Sequence, residues 1–488
     1  MEAFLADIHF LPFIYGLNTL LALYLIFADR KDATTTMAWI MILYLIPGFG
    51  LLLYLILSQN LARRKLFKVS SDEESKQDFL MAYQVESMDE DEFFYPNEIT
   101  RKWSSMIRLN QIYAKSFLTT NNDVELLTDG RQQFHRMMQD IRHAKKRIHV
   151  CYFIIKNDGV GTKFIDLLTK KAEEGVEVRL LMDALGSKQI TAAKLRRFKQ
   201  AGGQYAFFFK PFIRHLYFRI NYRNHRKIVV IDDEIGYTGG FNVAREYLGY
   251  KKKFGYWRDS HLRICGDAVI SLNKRFMLDW RYASSDMADY DPFAEAAEAT
   301  VDNEDGTVPI QIVSCGPESP KQEVKQAFMK MITSAEKRIY IQTPYFVPDR
   351  PVLETLIMAA QSGIDVRVMI PCMPDHPFVY RTTLYNAGEL IQAGAKIYIY
   401  EHGFLHAKTL TVDGEVSTVG STNFDIRSFR LNFETNAFLY DRRFAAAMEE
   451  QFHRDMLLSR EYTAEDREHI SAKEYILESI SRLLTEIL

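Results

Sequence analysis

Hydrophobic and polar positions divide the chain into three regimes. The first holds two uncharged apolar runs, residues 10–28 (FLPFIYGLNTLLALYLIFA) and 37–57 (MAWIMILYLIPGFGLLLYLIL), separated by a polar stretch at 29–35. At ~1.5 Å per residue, a helix of the first run's length reaches about 28 Å, the thickness of a bilayer's hydrocarbon core. Each run therefore predicts a membrane-spanning helix, and together they predict a two-helix transmembrane hairpin over residues 1–68. Pro47, Gly48 and Gly50 interrupt the second run, which a membrane tolerates when a neighbouring helix satisfies the carbonyl that proline leaves unbonded. A cleaved signal peptide is disfavoured, since no basic region precedes the first run and Asp29-Arg30-Lys31-Asp32 follows it. The second regime, residues 70–92, is dense in Asp, Glu, Ser and Gln and reads as a solvated tether within a connecting segment, 69–118. From about Thr119 onward helical and strand-like periods alternate, the pattern of an α/β fold.

That last regime repeats itself. Residues 144–150 (AKKRIHV) resemble 335–341 (AEKRIYI), each a basic helix end running into a strand. Residues 175–180 (GVEVRL) resemble 363–368 (GIDVRV), a glycine cap before a buried strand, and 200–203 resemble 392–395. Order and spacing are kept, so the domain is read as duplicated about a pseudo-twofold axis, with one half over 119–300 and the other over 301–488.

Composition bounds the rest. The 488 residues are 47% hydrophobic and 25% charged, close to a soluble average, so any membrane part is small. A net charge of -2 supplies no global basic field for nucleic acid. Cys151, Cys265, Cys315 and Cys372 lack CxxC spacing and read as buried thiols in a reducing compartment. Arg63, Arg64, Lys65 and Lys68 outnumber Arg30 and Lys31, which by the positive-inside rule turns the large domain toward the cytoplasm.

Each half then carries one polar cluster. His225, Lys227, Asp232, Gly239 and Asn242 recur as His406, Lys408, Asp413, Gly420 and Asn423 at identical spacing. At residue frequencies near 5%, four matches after a given histidine arise by chance roughly once in 10⁵. Imidazole can attack phosphorus when neutral and protonate a leaving alkoxide when charged, because its pKa lies near neutrality. Two histidines can divide that labour. Lys227 and Lys408 would oppose charge on non-bridging oxygens, with Asn242 and Asn423 as neutral donors. An ammonium beside each histidine makes the cluster poor for a metal ion, and no cofactor is called for. Each histidine needs an acceptor on its other nitrogen; Asp259 is expected behind His225 and Glu434 behind His406. Asp232 and Asp413 end strands before turns, where a structural role is expected.

The motif HxKxxxxD followed by GSxxN resembles that of the phospholipase D superfamily, which pairs two copies across one active site. Gly240 departs from it, standing where Ser421 stands in the second copy. The anchor WIMILYLIPGFGLLLYLIL, the run NYRNHRKIVVID and the stretch YWRDSHLRICG look like those of bacterial cardiolipin synthases. That resemblance covers nearly the whole chain. It implies a multi-pass protein of the bacterial inner membrane that moves a phosphatidyl group between two phosphatidylglycerol molecules. It also favours His225 as nucleophile and His406 as general acid and base, which spacing alone leaves open. Rival readings are a phospholipase D or phosphatidylserine synthase, a nuclease, and a non-catalytic membrane tether.

Three further features stand apart. Residues 207–223 interleave aromatics with Lys210, Arg214, Arg219 and Arg223, as an interfacial lip would, and Lys251–Lys253 could attract headgroups or form a solvated turn. Residues 471–488 predict an amphipathic helix packed against the domain rather than inserted in the membrane. His149, His261 and His376 lack a counterpart pattern and read as structural or surface histidines.

Overall fold

The computed structural model describes residues 2–29, 33–57, 66–67, 71–210, 221–284 and 307–485. A helix, Glu2–Tyr24, continues through a π-type turn, Leu25–Asp29, and its stretch Pro12–Asp29 is long and apolar enough to cross a bilayer. The expected second span is not one helix. It divides into Ala33–Leu45 and Phe49–Leu57, because Pro47 has no amide for the carbonyl of Leu43 and Gly48 takes φ +82°. The side chain of Asn18 donates to that same carbonyl at 2.6 Å. Leu25, Trp39, Leu43 and Tyr54 bury one another around this contact. Arg30, Lys31, Arg63, Arg64, Lys65 and Lys68, on which orientation rests, lie outside the described residues.

The acidic stretch is not a loose tether. Ser71–Asp89 is a helix, and its charges find cations beside the helix Ser104–Ala114: Asp78 pairs with Lys115 at 2.8 Å and Asp89 with Arg108 at 2.5 Å. Gln84 fastens it by donating to the carbonyl of Leu118 while accepting from that residue's amide, both at 3.0 Å.

Beyond Thr119 the fold is two sheets of one design. The first half contributes β1 (Asn122–Asp129), β2 (Arg147–Tyr152), β3 (Glu177–Asp183), β4 (Gln204–Phe208), β5 (Arg223–Asn224), β6 (Ile228–Ile231), β7 (Ile235–Gly239) and β8 (Trp257–Gly266). The second contributes β9 (Ile310–Cys315), β10 (Arg338–Gln342), β11 (Phe346–Val347), β12 (Asp365–Pro371), β13 (Lys396–Tyr400), β14 (Phe404–Leu405), β15 (Thr409–Val412), β16 (Val416–Gly420), β17 (Phe424–Asp425), β18 (Asn432–Leu439) and β19 (Ser459–Tyr462). The order β1-β8-β7-β6-β2-β3-β4 in one sheet matches β9-β18-β16-β15-β10-β12-β13 in the other, which adds β19 at its edge. Central strands such as β2, β6 and β12 are apolar and buried along most of their length, as expected where helices cover both faces. A shared cluster joins the halves, with Leu262, Val269 and Phe276 from one and Val419, Phe433 and Leu439 from the other.

β4 accounts for Phe207 and Phe208, while residues 211–220 of the expected lip lie outside the described residues. Lys251–Lys253 sit exposed in a turn. The last helix, Ala472–Thr485, rests on the helix Pro377–Gln392, but turns its polar face inward.

Candidate active site

Each motif histidine follows a two-residue strand that has left its own half. β5 pairs in parallel with β18, and β14 pairs in parallel with β8. The ladder continues onto the histidines, as the His225 amide donates to the carbonyl of Phe433 at 2.9 Å and the His406 amide to that of Arg258 at 2.7 Å. The next residue on each receiving strand is a carboxylate. Nδ1 of His225 consequently lies 3.0 Å from both carboxylate oxygens of Glu434, and Nδ1 of His406 lies 2.5 Å from Oδ2 of Asp259. The expected partners are exchanged: Asp259 stands behind His406 and Glu434 behind His225, because strand pairing crosses between halves. With Nδ1–H donated to a carboxylate, each ring keeps its lone pair on Nε2.

The lysines close the same unit. Nζ of Lys227 donates to the carbonyl of His225 at 2.6 Å, and Nζ of Lys408 donates to the carbonyl of His406. Lys408 also lies 2.8 Å from His406 Nδ1, but that nitrogen cannot accept from it while donating to Asp259. We assign the proton to the shorter carboxylate contact. Burial pushes Lys227 down to about 7 and Lys408 down to about 8. Burial, reinforced by Lys408, lowers His406 to about 4; burial also lowers His225, against the pull of Glu434. Burial opposes ionisation of the carboxyls too, yet Lys408 and His406 hold Asp259 below its ordinary value, and His225 and Lys227 do so for Glu434. Influence crosses between the copies: Lys408 acts on His225 and Lys227 on His406.

Gly240 has a steric reason. A Cβ there would lie 1.9 Å from Oδ1 of Asp259, so the first copy has no room for serine. Ser421 in the second copy is engaged with backbone, accepting from the amide of Thr435 at 3.0 Å and donating to its carbonyl at 3.3 Å. The asparagines differ as well. Asn242 accepts from the amide of Ile154 at 3.1 Å and donates to the hydroxyl of Tyr247 at 2.8 Å, whereas Oδ1 of Asn423 is buried with no hydrogen-bond partner among the described residues. Asp232 and Asp413 turn away from the histidines. Asp232 accepts from the amides of Lys145, Lys146 and Arg147, and Asp413 from those of Glu336, Lys337 and Arg338, all within 2.7–2.9 Å. Each ties the motif hairpin to the start of its sheet's central parallel strand.

Several residues at the site escaped sequence reasoning. Arg226 is fully buried; it meets both oxygens of Asp279 at 2.8 Å and donates to the carbonyl of Glu434 at 3.1 Å, so it stiffens the strand behind His225. A cation inside the run NYRNHRKIVVID was the available signal. Arg258, beside Asp259, is similarly paired with Asp455 across the halves at 2.8 Å. Aromatic rings wall both imidazoles, with Phe153 at 4.9 Å from His225 and Trp257 at 5.1 Å from His406 between centroids. The other histidines lie elsewhere in role. His149 bonds Asn273 at 2.7 Å and stacks on Phe276, His376 is exposed, and His261 is fully buried and lowered to about 3 by that burial.

Comparison with known proteins agrees with this architecture. The family model described as cardiolipin synthase, phospholipase D-like domain matches residues 137–259 and again 328–456, one match per half. A second, described as phospholipase D-nuclease N-terminal, matches residues 16–59. The major cardiolipin synthase ClsA of Bacillus subtilis (strain 168) is 43% identical over 98% of both chains. A cardiolipin synthase of Staphylococcus aureus (strain Mu50) is 44% identical over 97% of this chain and 95% of its own. Among solved structures, the phosphatidylserine synthase of Haemophilus influenzae Rd KW20 superposes with a TM-score of 0.61 at 16% identity, over 79% of this chain and all of that one, a likeness of fold. The fold is thus a duplicated phospholipase D-like one. The chain belongs to the cardiolipin synthase family of the phospholipase D superfamily, and it is an enzyme of the phosphatidyl-transferring class.

Proposed function

We propose that the chain makes cardiolipin from two phosphatidylglycerol molecules, with His225 as nucleophile and His406 as general acid and base. The observation that carries this reading is the exchange of partners: each half completes the other's histidine, so neither copy is a finished site alone. Nε2 of His225 attacks the phosphorus of one lipid, the bond from phosphorus to the glycerol oxygen breaks, and His406 delivers a proton to the departing glycerol. His406, now neutral, takes a proton from a glycerol hydroxyl of the second lipid. That oxygen attacks phosphorus and frees His225. Lys227 and Lys408 face the negative charge that grows on the non-bridging oxygens. Burial and the charge of Lys408 hold His406 neutral; an anionic phosphodiester offsets the lysine charge and favours the imidazolium.

The N-terminal elements act as an anchor in this reading. The helix containing Pro12–Asp29 crosses the membrane, and the broken segment 33–57 packs on it as a second crossing, with the sheets in the cytoplasm. Purified full-length enzyme in vesicles with phosphatidylglycerol should yield cardiolipin and glycerol in equal amounts. Phosphatidic acid without cardiolipin would show hydrolysis instead. H225A and H406A should each lower transfer by at least ~10⁴-fold. Rapid acid quench followed by mass spectrometry should find the phosphatidyl adduct on His225; an adduct on His406 would reverse the two roles.

A further inference from the structure

The closing helix, Ala472–Thr485, is amphipathic in the opposite sense to a helix that packs through its apolar side. Tyr475, Ile476, Ile480 and Leu483 are 62%, 57%, 46% and 64% exposed, while Glu478 and Ser481 are 3% and 0% exposed. The inward face is fixed by charge. Nη1 of Arg467 donates to both carboxylate oxygens of Glu478 at 2.8 and 2.9 Å, and Glu474 pairs with Arg381 at 3.1 Å. At about 100° per residue, the four apolar side chains occupy an arc of about 140° that also holds Ser479, whose hydroxyl donates to the carbonyl of Tyr475 at 2.9 Å; Lys473 stands roughly 20° beyond one edge, and Arg482, at the other, is held by the hydroxyl of Tyr385 at 3.0 Å. Acids face the protein, apolar groups face outward, and cations border them. A protein partner would not require that order, but a surface of acyl chains beneath anionic headgroups does, since Lys473 reaches the headgroups while the apolar stripe sinks below them.

Position supports the same occupant. Arg381 lies one turn from Phe378, which is 53% exposed at the start of the helix Pro377–Gln392. The loop just before it carries Asp375, which binds the hydroxyl of Tyr345 and whose charge acts on Lys408. The start of the apolar stripe is thereby tied, through Glu474 and Arg381, to the helix whose preceding loop reaches the candidate site.

We infer that the helix Ala472–Thr485 lies in the headgroup layer of the substrate bilayer, anchoring the rim of the site against the membrane through Tyr475, Ile476, Ile480 and Leu483. This rests on the reading of phosphatidylglycerol as substrate, so its first test is independent of activity. Full-length enzyme carrying I476W or L483W is reconstituted in vesicles of phosphatidylcholine and phosphatidylglycerol with brominated acyl chains. The added tryptophan should show blue-shifted emission and bromine quenching beyond that of the parent; emission typical of water and unaffected by bromine overturns the inference. The second test replaces all four side chains by serine (Y475S, I476S, I480S, L483S), which are exposed and leave the fold intact. The phosphatidylglycerol surface fraction for half-maximal rate should rise about tenfold, the weight of one fully buried apolar side chain. The maximal rate should hold, and replacement of all four by leucine should restore the parent value. An unchanged surface dependence overturns the inference, as does a detergent-stable dimer that the four serines dissociate, which would give the stripe to a second copy.

Discussion

The two halves share a strand order yet finish their histidines differently. His225 leans on Glu434, a longer carboxylate at 3.0 Å, with the buried Arg226–Asp279 pair behind it. His406 leans on Asp259 at 2.5 Å, with Gly240 clearing space for that carboxylate and Ala407 where Arg226 stands in the first copy. Duplication supplied the symmetry, and small substitutions around it gave the imidazoles unequal surroundings. That inequality suits a division between nucleophile and proton carrier, since two rings in identical fields would have no physical basis for different tasks.

The sharpest way to break this comparison is to exchange the carboxylates' charge for neutral amides. D259N should lower turnover by ~10²–10⁴-fold through His406, and E434Q by a similar factor through His225. Single-turnover kinetics separates them: E434Q should slow formation of the lipid adduct, whereas D259N should also slow its discharge to the second lipid. If D259N slowed formation alone and E434Q slowed both formation and discharge, the assignment of roles would reverse. G240S comes next. Its side chain would collide with Asp259, so turnover should fall by about 10²-fold with a stability loss of about 1–3 kcal/mol, while S421G removes one hydroxyl from beside Glu434 without a collision and should cost less in turnover. Activity and thermal melts of the two variants provide the check.

Protonation offers a quieter test. In the free enzyme Lys227 near 7, Lys408 near 8 and His406 near 4 are partly or wholly neutral at pH 8. A phosphodiester brought among them raises all three, so binding a non-cleavable phosphonate analogue of phosphatidylglycerol should take up protons. Calorimetry in buffers of different ionisation enthalpy reads the sign, and release would contradict the arrangement. The smallest effect belongs to the motif aspartates. D232N and D413N each disturb three backbone bonds and should lower stability by about 1–3 kcal/mol, with near-normal turnover per folded molecule. A loss of turnover comparable with H225A would instead put these carboxyls in the chemistry.

Particular residues show how far the chain could be read without coordinates. The repeat of AKKRIHV and AEKRIYI lies where β2 and β10 lie, and the spacing from histidine to lysine, aspartate and asparagine marked both clusters. Local chemistry sufficed there, because strand propensity, turn aspartates and glycine caps act over a few residues. The stretch 71–89 has the charge of a solvated segment, but its helix and the pairing of Asp89 and Asp78 with Arg108 and Lys115 depend on a later segment. The second apolar run was read as a single helix, though Pro47 divides it and the first helix satisfies the freed carbonyl.

The amino-acid order by itself determined the duplication, the identity of the paired histidines and lysines, and the apolar N-terminal helix. Only the tertiary structure decided which carboxylate serves which histidine. In a duplicated chain both assignments have similar spacing, and the choice depends on β5 and β14 crossing to the opposite sheet. It also decided which face of the last helix looks outward, because amphipathic periodicity defines two faces and leaves their direction to Arg467 and Arg381.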